Sequence, residues 1–275
     1  MSLDNAALSY VQKILSAPSL NERQKLEQTL RALAKWRSQL LGHTMAHNGG
    51  TIVRSGPFAG MKYLSQPSEG GVTAKLLGAY EASLQGFFRS LPEQGYDAVL
   101  NVGCAEGYYA VGCARLLPGT QVLAWDIDPR AREMCSALAK LNGVESQVTI
   151  REKFETKDLP GVRGELKSRL GKDPHACLVI DCEGAEFDLL DPAQADFGWL
   201  DMVVEVHPSR ECKLDMLVER FRETHEIEIR KAETVVPELP DWLHELGHLD
   251  QILTVWEWRA VPTPWLILRS RSGRT

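Results

Sequence analysis

Three stretches of the sequence hold residues whose types and spacing could do chemistry. The first is Val99-Leu100-Asn101-Val102-Gly103-Cys104-Ala105-Glu106-Gly107-Tyr108-Tyr109. An apolar run ends at Gly103, the chain turns through Gly107, and helix-compatible residues follow. Glycines at such a turn let the backbone come close to a ligand, and the helix start offers free N–H groups. The next apolar run ends in Ala124-Trp125-Asp126-Ile127-Asp128. A carboxylate about 20 residues after a glycine turn is placed to accept both hydroxyls of a ribose. Asp126 could instead cap the following helix, but Asp128, directly before Pro129, is better placed to do so. The glycine spacing is GxxxG, and Ala105 stands where a pyrophosphate-binding GxGxxG loop has its middle glycine. A cofactor with no phosphate, carrying a methionine moiety beside its ribose, suits this loop better than a dinucleotide.

The second stretch is a pair of apolar runs that end in acids: Leu178-Val179-Ile180-Asp181-Cys182-Glu183-Gly184-Ala185-Glu186-Phe187 and Val203-Val204-Glu205-Val206-His207. If both are neighbouring strands, Asp181, Glu183, Glu205 and His207 converge on one crevice at the carboxyl edge of a sheet. His207, with an ordinary pKa near 6.5, is the candidate general base. Asp181 or Glu205 would orient it or the substrate. In a secondary reading, Asp181, Glu205 and His207 hold a divalent cation that lowers the substrate's pKa. The bland alternative makes Glu183 and Glu186 helix caps and His207 a surface residue at a strand end.

The third is His244-Glu245-Leu246-Gly247-His248, an HExxH pattern. On a continuous helix it would put two zinc ligands on one face, with a glutamate base between them, as in a metallopeptidase. Few residues follow His248, and they must supply a final strand. Leu249-Asp250-Gln251-Ile252-Leu253 offers neither the glycine nor the third histidine of the extended zinc motif. The segment between Pro240 and Pro262 reads as a helical cover over the crevice.

The elements that must position these residues are strands alternating with helices from Tyr96 onward. Ala98–Val102, Gln121–Trp125, Gln147–Arg151, Ala176–Ile180 and Met202–Val206 are short apolar runs, each followed by a helix-length stretch. That pattern predicts a parallel sheet covered on both faces. Glu226-Ile227-Glu228-Ile229 and Trp265-Leu266-Ile267-Leu268 predict two late strands. The fold class expected is α/β: a Rossmann-like sheet of the class I methyltransferase layout, mostly parallel with a late antiparallel strand, over 93–275, a layout that by itself does not separate it from other doubly wound folds.

Residues 1–92 predict a mainly helical extension with a short hairpin. From the N-cap Asn21, Leu26, Leu30, Leu33, Trp36 and Leu40 recur at helix spacing, with Gly42 as a stop. This stripe is expected to be core or a contact between copies of the chain. Thr51–Val53 and Met61–Leu64 flank Ser55-Gly56-Pro57 as a hairpin, and a second helix is expected over Val72–Leu91. Lys75, Tyr80 and Glu81 could reach the amino and carboxylate ends of a cofactor. Trp256, Trp258 and Trp265 pack on the sheet or line a pocket.

The chain has 275 residues, 44% hydrophobic and 25% charged, with a net charge of −6. This suits a globular protein and argues against nucleic acid as the main partner. The basic tail Arg269–Arg274 reads as a solvated end. No run reaches the ~18 apolar residues of a membrane span. Cys104, Cys113, Cys135, Cys177, Cys182 and Cys212 form no CxxC pair, which fits a reducing, cytoplasmic setting.

In this order, the glycine loop, the Asp-x-Glu-Gly-Ala-Glu strand end and the Glu-x-His strand end resemble those of the FkbM family of methyltransferases. Gly56-Pro57-Phe58-Ala59-Gly60-Met61-Lys62, Lys75-Leu76-Leu77-Gly78-Ala79-Tyr80-Glu81, Glu257-Trp258-Arg259 and Pro264-Trp265-Leu266 extend the likeness over about residues 50–270. The resemblance implies S-adenosylmethionine as cofactor and methyl transfer to an oxygen of a small-molecule, sugar-like or natural-product acceptor. Carried onto this chain, the cofactor would be held by Asn101, Gly103, Cys104, Ala105, Gly107, Tyr108, Asp126, Ile127 and Asp181. Two positions depart from the family: Asn101 replaces its first acid, and Ala105 replaces its loop asparagine. Asn101 keeps open an alternative, a catalytically degenerate cofactor-binding or structural partner protein.

Overall fold

The computed structural model describes residues 2–64, 70–210 and 213–272; Cys212 and the Arg274 end of the basic tail lie outside these residues. Helices α1 (Leu3–Ser16) and α2 (Glu22–Gly49) pack on each other, Trp36 Nε1 donating to Asp4 at 2.8 Å. Asn21 caps α2 as expected, in a reciprocal pair: its Oδ1 accepts from Gln24 N and Gln24 Oε1 accepts from Asn21 N. Gly42 does not stop the helix. It lets α3 (Val72–Leu77) approach, because a Cβ at Gly42 would lie 2.6 Å from Val72 Cγ1. The face of α2 that is buried runs through Ser38, Leu41, Gly42 and Met45, whereas Leu26, Leu30 and Leu33 are exposed and not core.

The expected hairpin contracts to a single antiparallel bridge, Ile52 to Lys62. The helix expected over Val72–Leu91 breaks at Gly78, whose left-handed φ of +75° ends α3; α4 (Gln85–Gln94) starts after a short 3-10 turn. The break places Tyr80 and Glu81 at the sheet edge, where an unbroken helix would have carried them past it.

From here strands and helices alternate: β1 (Ala98–Val102), α5 (Tyr108–Leu116), β2 (Gln121–Trp125), α6 (Pro129–Leu141), β3 (Val148–Arg151), α7 (Leu159–Leu170) and β4 (Ala176–Ile180). There follow α8 (Glu186–Leu189), β5 (Leu200–Glu205), α9 (Leu214–Phe221), β6 (His225–Arg230), α10 (Asp241–His244), α11 (His248–Thr254) and β7 (Trp265–Ser270). The strands form one sheet in the order β3-β2-β1-β4-β5-β7-β6, with β7 antiparallel to both neighbours. This is the expected Rossmann-like α/β sheet, mostly parallel with a late antiparallel strand.

Alternation along each strand sorts the core. Val99, Val122, Cys177, Val203 and Ile267 meet Met45, Phe58, Leu76 and Phe88 on one face. Leu100, Leu123, Leu178, Met202 and Leu266 meet Leu159, Leu166 and Phe221 on the other. The register pairs Val102 with both Trp125 and Ile180, so β1, β2 and β4 end level and their next residues share one edge. Among the described residues no helix is long and apolar enough to cross a membrane.

Candidate active site

Gly103 makes the crevice possible. It adopts φ +74°, and a Cβ there would lie 1.7 Å from the carbonyl oxygen of Asp181. The glycine is demanded by the close approach of two strand ends, not by the ligand alone. Gly107, at φ +96°, caps α5, and its Cβ would lie 2.7 Å from Cys135 Sγ. Asp126 links the second strand end to this loop: one carboxylate oxygen accepts from Ala105 N at 2.8 Å, the other from Asp128 N at 2.9 Å. Asp128 takes the cap of α6, accepting from Arg130 N. Asp126 therefore keeps only part of its accepting capacity for a ligand hydroxyl.

Two cavities meet at Asp181 and Glu183. The first, about 350 Å3, lies over the ends of β1, β2 and β4 and is lined by Val102, Gly103, Ala105, Trp125, Asp126, Ile127, Phe154 and Leu189. Its walls are largely apolar, with the Asp126 carboxylate at the edge: a chemistry that fits a flat base with an attached ribose. The second, about 510 Å3, is polar and lined by Tyr80, Glu205, His207, Glu257 and Arg259, with Arg31 and Lys35 from α2. Of the residues expected at the cofactor, Gly103, Ala105, Asp126, Ile127 and Asp181 line the first cavity. Asn101, Cys104, Gly107 and Tyr108 do not. Asn101 is 1% exposed, its Nδ2 reaching Val179 O at 3.4 Å and its Oδ1 without a partner among the described residues. Cys104 is buried under the loop, and Tyr108 belongs to an aromatic cluster with Tyr63 and Tyr80.

His207 lines the second cavity. Its Nδ1 lies 3.3 Å from Glu186 Oε1, which also accepts from the His207 backbone N–H at 2.6 Å. Glu186 is fully buried, and its other oxygen accepts from Gly184 N at 2.8 Å. The Nε2 side faces carboxylates: Glu183 at 3.6 Å, Glu205 at 3.8 Å and Asp181 at 3.9 Å. Burial alone would lower the imidazole's pKa. The Glu186 hydrogen bond and the charges of Asp181, Glu186 and Glu183 outweigh it and hold the pKa above the ordinary histidine value. The sequence offers Glu186 only as an alternative helix cap; its contact with His207 is not legible there, because it is the fold that brings the start of α8 against the end of β5.

Arg259 knits the far side of the cavity. It donates to Glu81, Glu205, Thr263 and, at 2.8 Å, Glu257. Trp265 Nε1 donates to the second Glu81 oxygen at 2.8 Å. Burial, together with the charges of Glu183 and Glu257, pushes the Glu205 carboxyl up to about 7, and burial pushes Glu257 up to about 8. Glu81 is thus committed to Arg259. Lys75, 2% exposed, is paired with Glu106 beneath the glycine loop and lies 4.8 Å over the Tyr80 ring. Of this trio Tyr80 lines the second cavity, and Lys75 and Glu81 line neither of the two.

Asp181, Glu205 and His207 offer ligand atoms that all lie within 4.8 Å of one another. The HExxH pattern does not form a zinc site. α10 ends at His244 and α11 begins at His248, with extended Gly247 between them, so the two histidines do not share one helix. Both side chains are exposed and line neither cavity. The cover over the crevice is the segment after α11, where Trp258, Arg259 and Val261 line the second cavity.

Four residues other than glycine adopt left-handed φ among those described: Glu81 (+49°), Ala105 (+47°), Glu183 (+51°) and Trp258 (+66°). All four border these two cavities or bind their lining. Such conformations cost about 1–3 kcal/mol each and gather where surrounding structure holds a site in shape.

Several solved structures are similar. The Bacillus cereus O-methyltransferase in complex with SAH is 10% identical over 64% of this chain and 76% of its own, TM-score 0.39. The O-methyltransferase TomG of Streptomyces achromogenes, in complex with SAM, is 15% identical over 65% and 75%, TM-score 0.40. The precorrin-6y C5,15-methyltransferase of Geobacter metallireducens is 14% identical over 63% and 80%, TM-score 0.42. No protein-family model matches the sequence, and no curated protein matches it.

Proposed function

We propose that this chain is an S-adenosylmethionine-dependent O-methyltransferase acting on a small hydroxylated acceptor. One observation carries the reading. An apolar cavity lined by the Asp126 carboxylate adjoins a polar cavity lined by His207, whose ring rests on the buried Glu186, and Asp181 and Glu183 border both. Bound in the first cavity, S-adenosylmethionine would supply an electrophilic methyl group. The rest is alignment of the acceptor and removal of its proton.

Asp126 would hold the ribose, with Trp125, Ile127 and Phe154 around the base. His207 Nε2 would take the proton of the acceptor hydroxyl. Glu186 fixes the ring by holding Nδ1, which leaves Nε2 as the proton-accepting nitrogen. Asp181 and Glu183 stabilise the imidazolium that forms, and Tyr80 and Trp258 wall the crevice. The test is transfer of a labelled methyl group from S-adenosylmethionine to a panel of hydroxylated small molecules. His207→Ala should lower kcat by about 10²–10⁴-fold while binding of S-adenosylhomocysteine persists. Equal turnover by the variant would contradict the assigned base.

A second reading rests on the clustering of Asp181, Glu205 and His207. A divalent cation held there would lower the hydroxyl's pKa without a protein base. Arg259 already pairs with Glu205, which favours the metal-free reading. Activity that survives EDTA removes the cation from the account.

A further inference from the structure

The polar cavity is charged in two opposite senses. Its floor is acidic, and one wall, contributed by α2, carries Arg31 and Lys35. They lie one helical turn apart on the same face, where like charges repel. Burial and the Arg31 charge hold the Lys35 ammonium below the ordinary lysine value. Every other cation facing this cluster is matched: Arg259 by Glu81, Glu205 and Glu257, and Arg37, further along the helix, by Asp250. Among the described residues neither Arg31 nor Lys35 has a carboxylate partner.

The two cations are nonetheless held in place. Arg31 donates to the Trp258 carbonyl at 2.6 Å and its guanidinium lies 6.0 Å over the Trp256 ring. The Lys35 ammonium lies 5.2 Å over the Trp258 ring. Trp258 is in turn fixed by its left-handed backbone and by a 3.0 Å hydrogen bond from Nε1 to Ser38 Oγ. A net-negative chain that fixes two adjacent, partly desolvated cations in the wall of a cavity has built a place for an anion.

We propose that Arg31 and Lys35 recognise an anionic group, carboxylate or phosphate, on the methyl acceptor. The proposal rests on the methyl-transfer reading. It narrows the acceptor class to small hydroxylated anions, bound with the hydroxyl toward His207 and the anion toward α2. The cavity volume of about 510 Å3 suits one drug-sized molecule.

The test titrates 4-hydroxybenzoate, 4-hydroxyphenyl phosphate and neutral 4-hydroxybenzamide into the full chain and into an Arg31→Gln/Lys35→Gln double variant, following tryptophan fluorescence. S-adenosylhomocysteine is titrated into both as a separate arm. The expected result is that at least one of the two anions binds the wild type about tenfold more tightly than the amide. The double variant should lose that preference while its S-adenosylhomocysteine affinity is unchanged. Whichever anion binds tighter identifies the group. Equal binding of anion and amide, an unaltered preference in the double variant, or no binding of either anion to the wild type overturns the proposal. Failure of S-adenosylhomocysteine to bind the wild type instead strikes the methyl-transfer reading, and the anion arm is still read on its own.

Discussion

Asp181, Glu205 and His207 at the crevice take their properties from the groups packed against them. Asp181, Glu205 and His207 were recognisable in the sequence as strand-end residues, because apolar runs that stop at an acid or a histidine are conspicuous. Their partners were not: Glu186, Glu257 and Arg259 come from a helix and a cover segment whose packing has no local signature. The pH dependence follows from these partners. His207 accepts a proton only when neutral, and its pKa lies above the ordinary histidine value. Activity should therefore rise with pH, with a midpoint above 6.5. Glu183 is one of the charges that raise the pKa and is the most exposed of the carboxylates around the ring. Glu183→Gln should shift the rising limb toward lower pH, in a profile of kcat/KM. A limb that stays in place or moves to higher pH would show that His207 is not the group titrating.

At the scale of elements, strand positions followed from apolar runs, and β1, β2 and β4 match their expected ranges residue for residue. Helix continuity was less legible. Gly42 reads as a stop but sits inside α2 because its lack of a Cβ serves packing, while Gly78 breaks the helix expected to run through it. Which glycine ends a helix depends on neighbours distant in sequence. The glycine loop gives two opposed predictions for thermal unfolding. Gly103→Ala drives a Cβ into the Asp181 carbonyl and should leave the protein unable to fold, since backbone cannot yield as a side chain can. Ala105→Gly relieves a left-handed alanine and should stabilise by about 0.5–1 kcal/mol, the backbone relief less the entropy of glycine. A lower Tm for Ala105→Gly would mean that the Ala105 methyl is held by packing in the cavity wall.

Over the whole molecule, residues before 93 do more than extend the sheet. Arg37–Asp250 and Arg31–Trp258 fasten α2 to the segment around α11 that covers the crevice. That role was not visible in the amphipathic pattern of α2, which pointed to core burial or a contact between copies. Its apolar stripe instead stays open: Leu26 and Leu30 are 68% and 71% exposed. If this stripe is a contact between copies, sedimentation should find a dimer in the wild type and a monomer in Leu26→Glu/Leu30→Glu, with helicity unchanged. A monomer in both assigns the stripe to another role.

The central claim is that the apolar cavity over β1 and β2 takes S-adenosylmethionine. Calorimetric titration of S-adenosylhomocysteine into the wild type and Asp126→Ala tests it most directly. The account predicts a Kd of about micromolar order, ~8 kcal/mol of binding free energy, in the wild type, and a large loss in the variant. No heat of binding in the wild type, or the same affinity in both proteins, would contradict it.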